Sequence, residues 1–217
     1  FGRAIRNLAP RHRGDMIVVV QSYTRIASLM AMSLHSALRK LRIDYTDFLL
    51  LGWWNHLPPP RILDAAERLR EQGKLRHILI SGHERKSFPQ FANHAGIDAV
   101  MVRYNAAHTG AESEVFPHID GRTTGVLSYT ATRWGSLLDP THTPAHDPVP
   151  RASDCYRFVL SNPSVQVAMA GPRDGTQLDE AMSALDRGPM SDEELAWMRR
   201  VGQRARTRKR IADGGKE

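Results

Sequence analysis

The chain has 217 residues, 41% hydrophobic and 24% charged, enough apolar material for a real core and too much for wholesale disorder. The formal net charge is +7, but arginines are spread along the chain and dense only from Arg199 to Arg210, with no interleaved aromatics, which describes a solvated basic surface and argues against a nucleic-acid partner. A single cysteine, Cys155, excludes an internal disulfide framework and fits a reducing, cytoplasmic setting, and no apolar run approaches the ~20 residues of a membrane span.

The chain opens on a helical pattern, Phe1 to Leu8. Short apolar runs follow at Met16–Val20, Asp47–Leu51, His77–Ser81, Asp98–Val102, Gly125–Tyr129 and Val165–Ala170. They are mostly continuous and rich in Val, Ile and Leu, as strands buried on both faces are. Helical spacing lies between them: Leu34, Leu38, Leu41, then Ile62, Ala66, Leu69, and after the last run Leu178, Met182, Leu185. Asp139 to Arg151 holds four prolines and two histidines without periodicity, and predicts a long loop at the strand C-termini. Ser191-Asp192-Glu193-Glu194 is a capping box that opens a last helix.

Strand and helix alternating throughout predict parallel βα units. A doubly wound dinucleotide fold would show G-x-G-x-x-G after its first strand, but Gln21-Ser22-Tyr23-Thr24-Arg25 stands there. The expected fold class is therefore α/β, a parallel (β/α)8 TIM-barrel type. An eight-unit barrel takes about 250 residues, so it is expected to be incomplete, with about six βα units. The expected layout is a barrel domain over residues 1–205 and a flexible basic tail over 206–217. An open barrel exposes two strand edges, so the chain is expected to be a fragment or a processed chain, or to have a partner chain or oligomer covering that edge.

Ile43 to Asn55 reads as a buried strand ending in the aromatic-rich loop Gly52-Trp53-Trp54. With Leu69 to His83, Val102-Arg103-Tyr104-Asn105, Ser128 to Leu137 and Gly171 to Leu185 in that order, the chain resembles the aldo/keto reductases from Phe1 to about Arg204. The resemblance implies NADP(H)-dependent interconversion of carbonyls and alcohols on a small-molecule carbonyl substrate. It also implies a catalytic tetrad of Asp, Tyr, Lys and His, in which a nearby lysine lowers the pKa of an acid tyrosine. The Asp and Tyr positions precede Phe1. The Lys position is Ser22 and the His position is Gly52. The catalytic set is thus unknown from these residues. Tyr23, as a substitute acid, and His56, a few residues past Gly52, are the candidates, against plain readings as a packing tyrosine and a solvent-facing histidine.

The resemblance places Gly52, Trp53, Trp54 and Tyr104 in the substrate pocket. On the cofactor side it places Ser81 at the carboxamide, with His83 where the family has Asn and Met101 where it has Gln. Tyr129 takes the position that stacks on the nicotinamide. Gly135, Ser136 and Leu137 form the turn around the pyrophosphate. Gly171, Arg173, Gln177 and Glu180 fall on the adenosine-phosphate loop, with Ala181 where an Asn is common. Glycine there permits close backbone approach and the next helix offers N–H groups to phosphate. Arg173 can pair with a 2′-phosphate, which favours NADP over NAD. His142 and His146 with Cys155 lack a fourth ligand, and no metal is expected. His108, Glu112 and Glu114 read as a solvated helix start or a general-base cluster. Three functions stay open: an NADP(H)-dependent oxidoreductase, a catalytically degenerate barrel that binds a nucleotide, small molecule or partner, and a barrel repurposed for non-redox chemistry.

Overall fold

The apolar runs become strands and the 3.6-residue stripes become helices, in strict alternation. The computed structural model describes residues 2–119 and 121–212, the side chains of 208–212 excepted. In chain order the elements are α1 (Gly2–His12), β1 (Val19–Ser22), α2 (Ala27–Leu41), β2 (Thr46–Leu51), α3 (Pro60–Glu71), β3 (Leu75–Ser81) and α4 (Phe88–Ala92). They continue with β4 (Ala99–Arg103), α5 (Ala111–Glu114), β5 (Gly125–Tyr129), α6 (Ala152–Leu160), β6 (Val167–Ala168), α7 (Gly175–Arg187) and α8 (Asp192–Ala212). The six strands follow one another in a single sheet in sequence order, so β1 and β6 are its end strands. The pairs β1–β2, β2–β3 and β5–β6 are parallel. The chain divides into two compact units, Phe1–Val100 with Gly121–Thr124, and Met101–Asp120 with Gly125–Glu217.

In the first unit β2 and β3 carry the core. Leu49, Leu50, Leu51, Ile78, Leu79 and Ile80 are all buried. Helix α3 lays Ile62, Leu63, Ala66 and Leu69 inward. Helix α2 buries Met30, Leu34 and Leu38, one turn earlier than the expected stripe, and Leu41 is only half-buried. Asp47, buried at the start of β2, accepts the Val18 N–H at 2.8 Å and pairs with Arg13 at 2.8 Å and Arg76 at 3.2 Å. Both guanidinium groups also lie over the Tyr45 ring.

The first strand starts later than the run Met16–Val20 suggests. Ile17 is 78% exposed, and pairing begins where the Val18 carbonyl accepts the N–H groups of Asp47 and Phe48. Hydrophobicity alone does not tell which residues find a partner strand. The last strand is likewise shorter than Val165–Ala170, with Val167 and Met169 exposed beside a single neighbour.

In the second unit α6 and α8 bury Cys155, Phe158, Val159, Met198, Val201 and Ala205. Gly202 is fixed by close approach, since a Cβ there would lie 2.0 Å from the Ala106 carbonyl oxygen. The stripe Leu178, Met182, Leu185 is present on α7 but faces outward, 47–62% exposed, and α7 buries Ala184 instead. Periodicity marks an apolar face without saying what covers it. Helix α8 runs through the first part of the expected tail, to Ala212, and 213–217 lie outside the described residues.

Arg157 anchors the join of α6 and α8. Its buried guanidinium meets Glu194 bidentately at 2.5 and 2.8 Å and donates to the carbonyls of Gly188 and Pro189. The Arg157 hydrogen bonds, then that from the Ser191 backbone, pull the Glu194 pKa down to about 2. A depressed carboxylate stabilises the fold above its unfolded pKa of 4.5, and that contribution is lost as pH falls from there toward 2. Glu194→Gln should therefore cost about 1–2 kcal/mol at neutral pH, discounted for partial exposure, and should flatten the acid limb of the stability profile between those values. Urea unfolding across pH checks both, and a profile parallel to wild type would contradict the assignment.

Candidate functional site

The C-terminal ends of β1, β2 and β3 build the mouth of the first unit. Gly52 N–H donates to the Ser22 carbonyl at 2.9 Å and Trp54 N–H to the Ser81 carbonyl at 2.7 Å, so the three parallel ends stay in register beyond the strands. Trp53 then takes a left-handed conformation, φ 58°, and turns its indole outward, while Trp54 is buried. The Trp53 N–H donates to the Ser81 hydroxyl oxygen at 3.3 Å. Gly82 is dictated by the same crossing, because a Cβ there would stand 2.1 Å from the Trp54 carbonyl oxygen.

Gly52 admits the ring of Tyr23. A Cβ at residue 52 would fall 2.6 Å from Tyr23 Cε1 and 2.7 Å from Cδ1, so the phenol ring lies directly on the glycine. Rings continue outward from there, with Tyr23 edge-on to Trp53 at 5.7 Å and Trp53 edge-on to His83 at 5.3 Å. The Tyr23 hydroxyl accepts a hydrogen bond from Gln21 Nε2 at 2.6 Å.

The cations nearby are used elsewhere. Arg25 donates to the carbonyls of Tyr23, Gly52 and Trp53 and lies 3.9 Å above the Trp54 ring. His56 is bonded to the Leu57 carbonyl and packs on Trp54. Ser22, at the expected lysine position, is buried and its hydroxyl has no hydrogen-bond partner.

The second unit holds a cavity of about 840 Å³. Its walls come from the turn after β5 (Thr130, Thr132, Trp134, Gly135), from the start of α6 (Arg151, Ala152, Tyr156), from the loop after β6 (Met169, Gly171, Arg173) and from α7 (Gln177, Glu180). Three consecutive residues, Arg133, Trp134 and Gly135, have positive φ of 51°, 53° and 84°. Glycine adopts this freely; arginine and tryptophan do so at a cost. The turn presents Trp134, 72% exposed, on the cavity wall.

Of the expected cofactor residues, Gly135, Gly171, Arg173, Gln177 and Glu180 line this cavity. Leu137 is fully buried packing, and Ser136 is tied to His142. Glu180 is not free for a base. It accepts the N–H and hydroxyl of Ser153 at 3.2 and 2.7 Å and pairs with Arg151. Burial raises its pKa, but those bonds more than offset this and leave it below the ordinary carboxylate value. The N-terminus of α7 is also partly used internally, since Asp174 caps the Gln177 N–H at 2.8 Å and the Gln177 side chain accepts the Arg173 N–H at 3.1 Å.

Tyr104 turns inward rather than onto an open wall. It packs on Phe116 and Phe158 and donates to Glu112 at 2.7 Å; burial, then Glu112, push its phenol well above the usual range. Glu112 also pairs with Arg199, which makes it a structural hub. Burial, then Asp154, push the Cys155 thiol up to about 12. Among the described residues no cluster of three or more His, Cys, Asp or Glu side chains could hold a metal ion, and no helix is long and apolar enough to cross a membrane.

The aldo/keto reductase family profile matches residues 2–154. The chain belongs to the aldo/keto reductase family. Among solved structures it is similar to an aldo-keto reductase from Bacillus halodurans in its holo form, at 18% identity and a TM-score of 0.78, covering 92% of this chain and 76% of that one. It is similar also to an aldo/keto reductase from Klebsiella pneumoniae in complex with NADP and acetate, at 22% identity and a TM-score of 0.79, covering 93% and 75%. A thermostable aldo-keto reductase in complex with the inhibitor epalrestat matches at 19% identity and a TM-score of 0.74, covering 92% and 77%. The fold is thus of the (β/α)8 barrel type, here with six strands in a sheet whose ends are β1 and β6.

Sequence reasoning missed Trp134, Arg151 and Tyr156. Trp134 stands beside a glycine just past a strand end, a signal that could have found it. Arg151 and Tyr156 reach the cavity only through the position of α6, which no local pattern encodes.

For this family member the contact at Gly52 is directly testable. Gly52→Ala should cost about 1–2 kcal/mol by crowding the Tyr23 ring. Tyr23→Ala should relieve most of that cost when combined with it. Chemical denaturation of the four chains measures the coupling, and strictly additive effects would show that the ring does not rest on residue 52.

Proposed function

We propose that this aldo/keto reductase family member is an NADP(H)-binding oxidoreductase whose second unit carries the adenosine-phosphate end of the cofactor. We also propose that carbonyl–alcohol interconversion by the chain as it stands is slow. The observation that carries the binding reading is the cavity walled by Trp134, Tyr156 and Met169 and charged by Arg151 and Arg173. Apolar and aromatic walls suit a planar base, and guanidinium groups suit phosphates. The residues present fit the cofactor. Arg173 is exposed on the wall and can take a 2′-phosphate bidentately, which favours NADP over NAD. Gly135 and Gly171 leave the backbone open, as no atom would lie within 4 Å of a Cβ at either. By family position Tyr129 of the second unit also serves the cofactor.

When bound, the cofactor supplies hydride chemistry, and the protein supplies position and electrostatics. A general acid here would be the Tyr23 hydroxyl. Its bond from Gln21 is neutral, and the Arg25 cation is spent on three carbonyls. A tyrosine without an adjacent cation is a poor proton donor at neutral pH. Trp53 and Tyr23 would then wall a small carbonyl substrate, and Gly52 would leave room for the ring in place of a histidine. A second reading, a degenerate barrel that binds a nucleotide or small molecule without turnover, is favoured by the same loss of a cation at Ser22 and Gly52.

Titration of the protein into NADPH, followed by fluorescence, tests the binding reading. Saturable binding is expected, and Arg173→Ala should weaken it by about 1–3 kcal/mol while leaving NADH binding little changed. Absence of NADPH binding would overturn the cofactor assignment. Unchanged affinity in the variant would move the 2′-phosphate away from Arg173.

A further inference from the structure

Helix α7 has an outward face that no described residue covers. Met182, 52% exposed, stands at its centre, with exposed Leu178 and Leu185 on one flank and exposed Asp179 and Asp186 on the other. The opposite side of the helix is in use: Ala184 is buried, and Gln177 and Glu180 line the large cavity. Among the described residues no cation pairs with Asp179 or Asp186. The face is therefore apolar along its middle, acidic along one border, and separate from the cavity to which the cofactor is assigned.

The first unit presents a face of opposite charge. On the outer side of α2, Leu29 and Met32 are 40% and 62% exposed, and Arg39 and Lys40 follow on the same side, exposed as well. Neither α2 nor α1, which packs on it, contains an acidic residue. Among the described residues no carboxylate pairs with Arg39 or Lys40. Single exposed apolar side chains are ordinary, but apolar side chains at helical spacing with charge along one border form the kind of patch that marks an association surface.

We propose that the α7 face of one copy of this chain docks on the α2 face of a second copy, head to tail. Charge selects that pairing. The net charge of +7 makes two copies repel on average, and α7 is a local acidic exception. Two α7 faces together would set Asp against Asp, and two α2 faces would set Arg39 and Lys40 against themselves; like charges across an interface are disfavoured. The face of α7 on that of α2 instead brings Met182, Leu178 and Leu185 onto Met32 and Leu29, with acid meeting base at the border. The contact is heterologous, so each copy keeps one face of each kind and growth continues beyond a dimer unless the ring closes.

Sedimentation velocity of the full chain from about 1 to 200 µM tests this. The mean mass should rise with concentration, and about 0.5 M salt should weaken the association by screening its charged border. Met182→Lys and Met32→Glu each place a repelling charge at the centre of one face, and each alone should weaken self-association roughly tenfold or more. Both residues are exposed, so the melting temperature should not change. The paired substitution Asp179→Lys with Asp186→Lys is a second variant that leaves the apolar side chains in place, and it should weaken the association too. Mixing the Met182→Lys and Met32→Glu chains is the decisive step. One still offers an intact α2 face and the other an intact α7 face, so association should return at one-to-one stoichiometry. A wild type that stays monomeric across the range, or one whose association neither substitution affects, would overturn the proposal. So would loss of association in one variant but not the other, the mark of a face that pairs with itself, or a mixture that stays monomeric.

Discussion

The absence of a β-carbon at residue 52 governs the mouth of the first unit. Because nothing projects from Gly52, the loop after β1 folds back and rests the Tyr23 ring on it. Once the ring is there, Arg25 reaches across to the carbonyls of Gly52 and Trp53 and lies on Trp54. The buried Trp54 carbonyl in turn requires Gly82. Two glycines thus let the loops after β1, β2 and β3 close on one another. The functional consequence is a phenol at the strand ends with no cation at its hydroxyl. Ring packing and proton chemistry compete for the same few ångströms, and here packing has taken them.

The second unit shows where the basic composition goes. Arg157, Arg187, Arg151, Arg199 and Arg200 each pair with a carboxylate, respectively Glu194, Asp154, Glu180, Glu112 and Asp147. Most of these pairs are partly exposed and individually weak. Arg157 with Glu194 differs because the guanidinium is buried and every contact is hydrogen-bonded. Two of the arginines in the dense stretch of α8 are therefore structural, which accounts for part of the positive charge without a polyanionic partner. Arg173 and Arg133 stand outside this pairing, one exposed on a cavity wall and one buried.

Much of the fold was legible because burial on both faces leaves a plain mark. Gly125–Tyr129 is a strand over those same residues, and β2 and β3 differ from their apolar runs only at the first residues. The mark fails at the sheet ends. Ile17 and Val167 are as apolar as any strand residue, yet pairing and burial depend on neighbours that a run does not describe. The stripe Leu178, Met182, Leu185 fails for the same reason. At the candidate site, Gly171, Arg173 and Gln177 were readable from a loop pattern that precedes a helix. The engagement of Glu180 was not, since Ser153 and Arg151 meet it from 27 and 29 residues away. Nor was the ring on Gly52 readable: a glycine in a sequence announces space without naming its occupant.

The central proposal for this family member is a bound cofactor beside a mouth that lacks a supported proton donor. Turnover of a panel of simple aldehydes by the NADPH-loaded protein tests that most directly. NADPH should be oxidised at a rate little above the protein-free background, with cofactor still bound. Robust, saturable NADPH-dependent reduction of any simple aldehyde would contradict it, and would mean that a proton reaches the substrate by a route other than Tyr23 and Arg25.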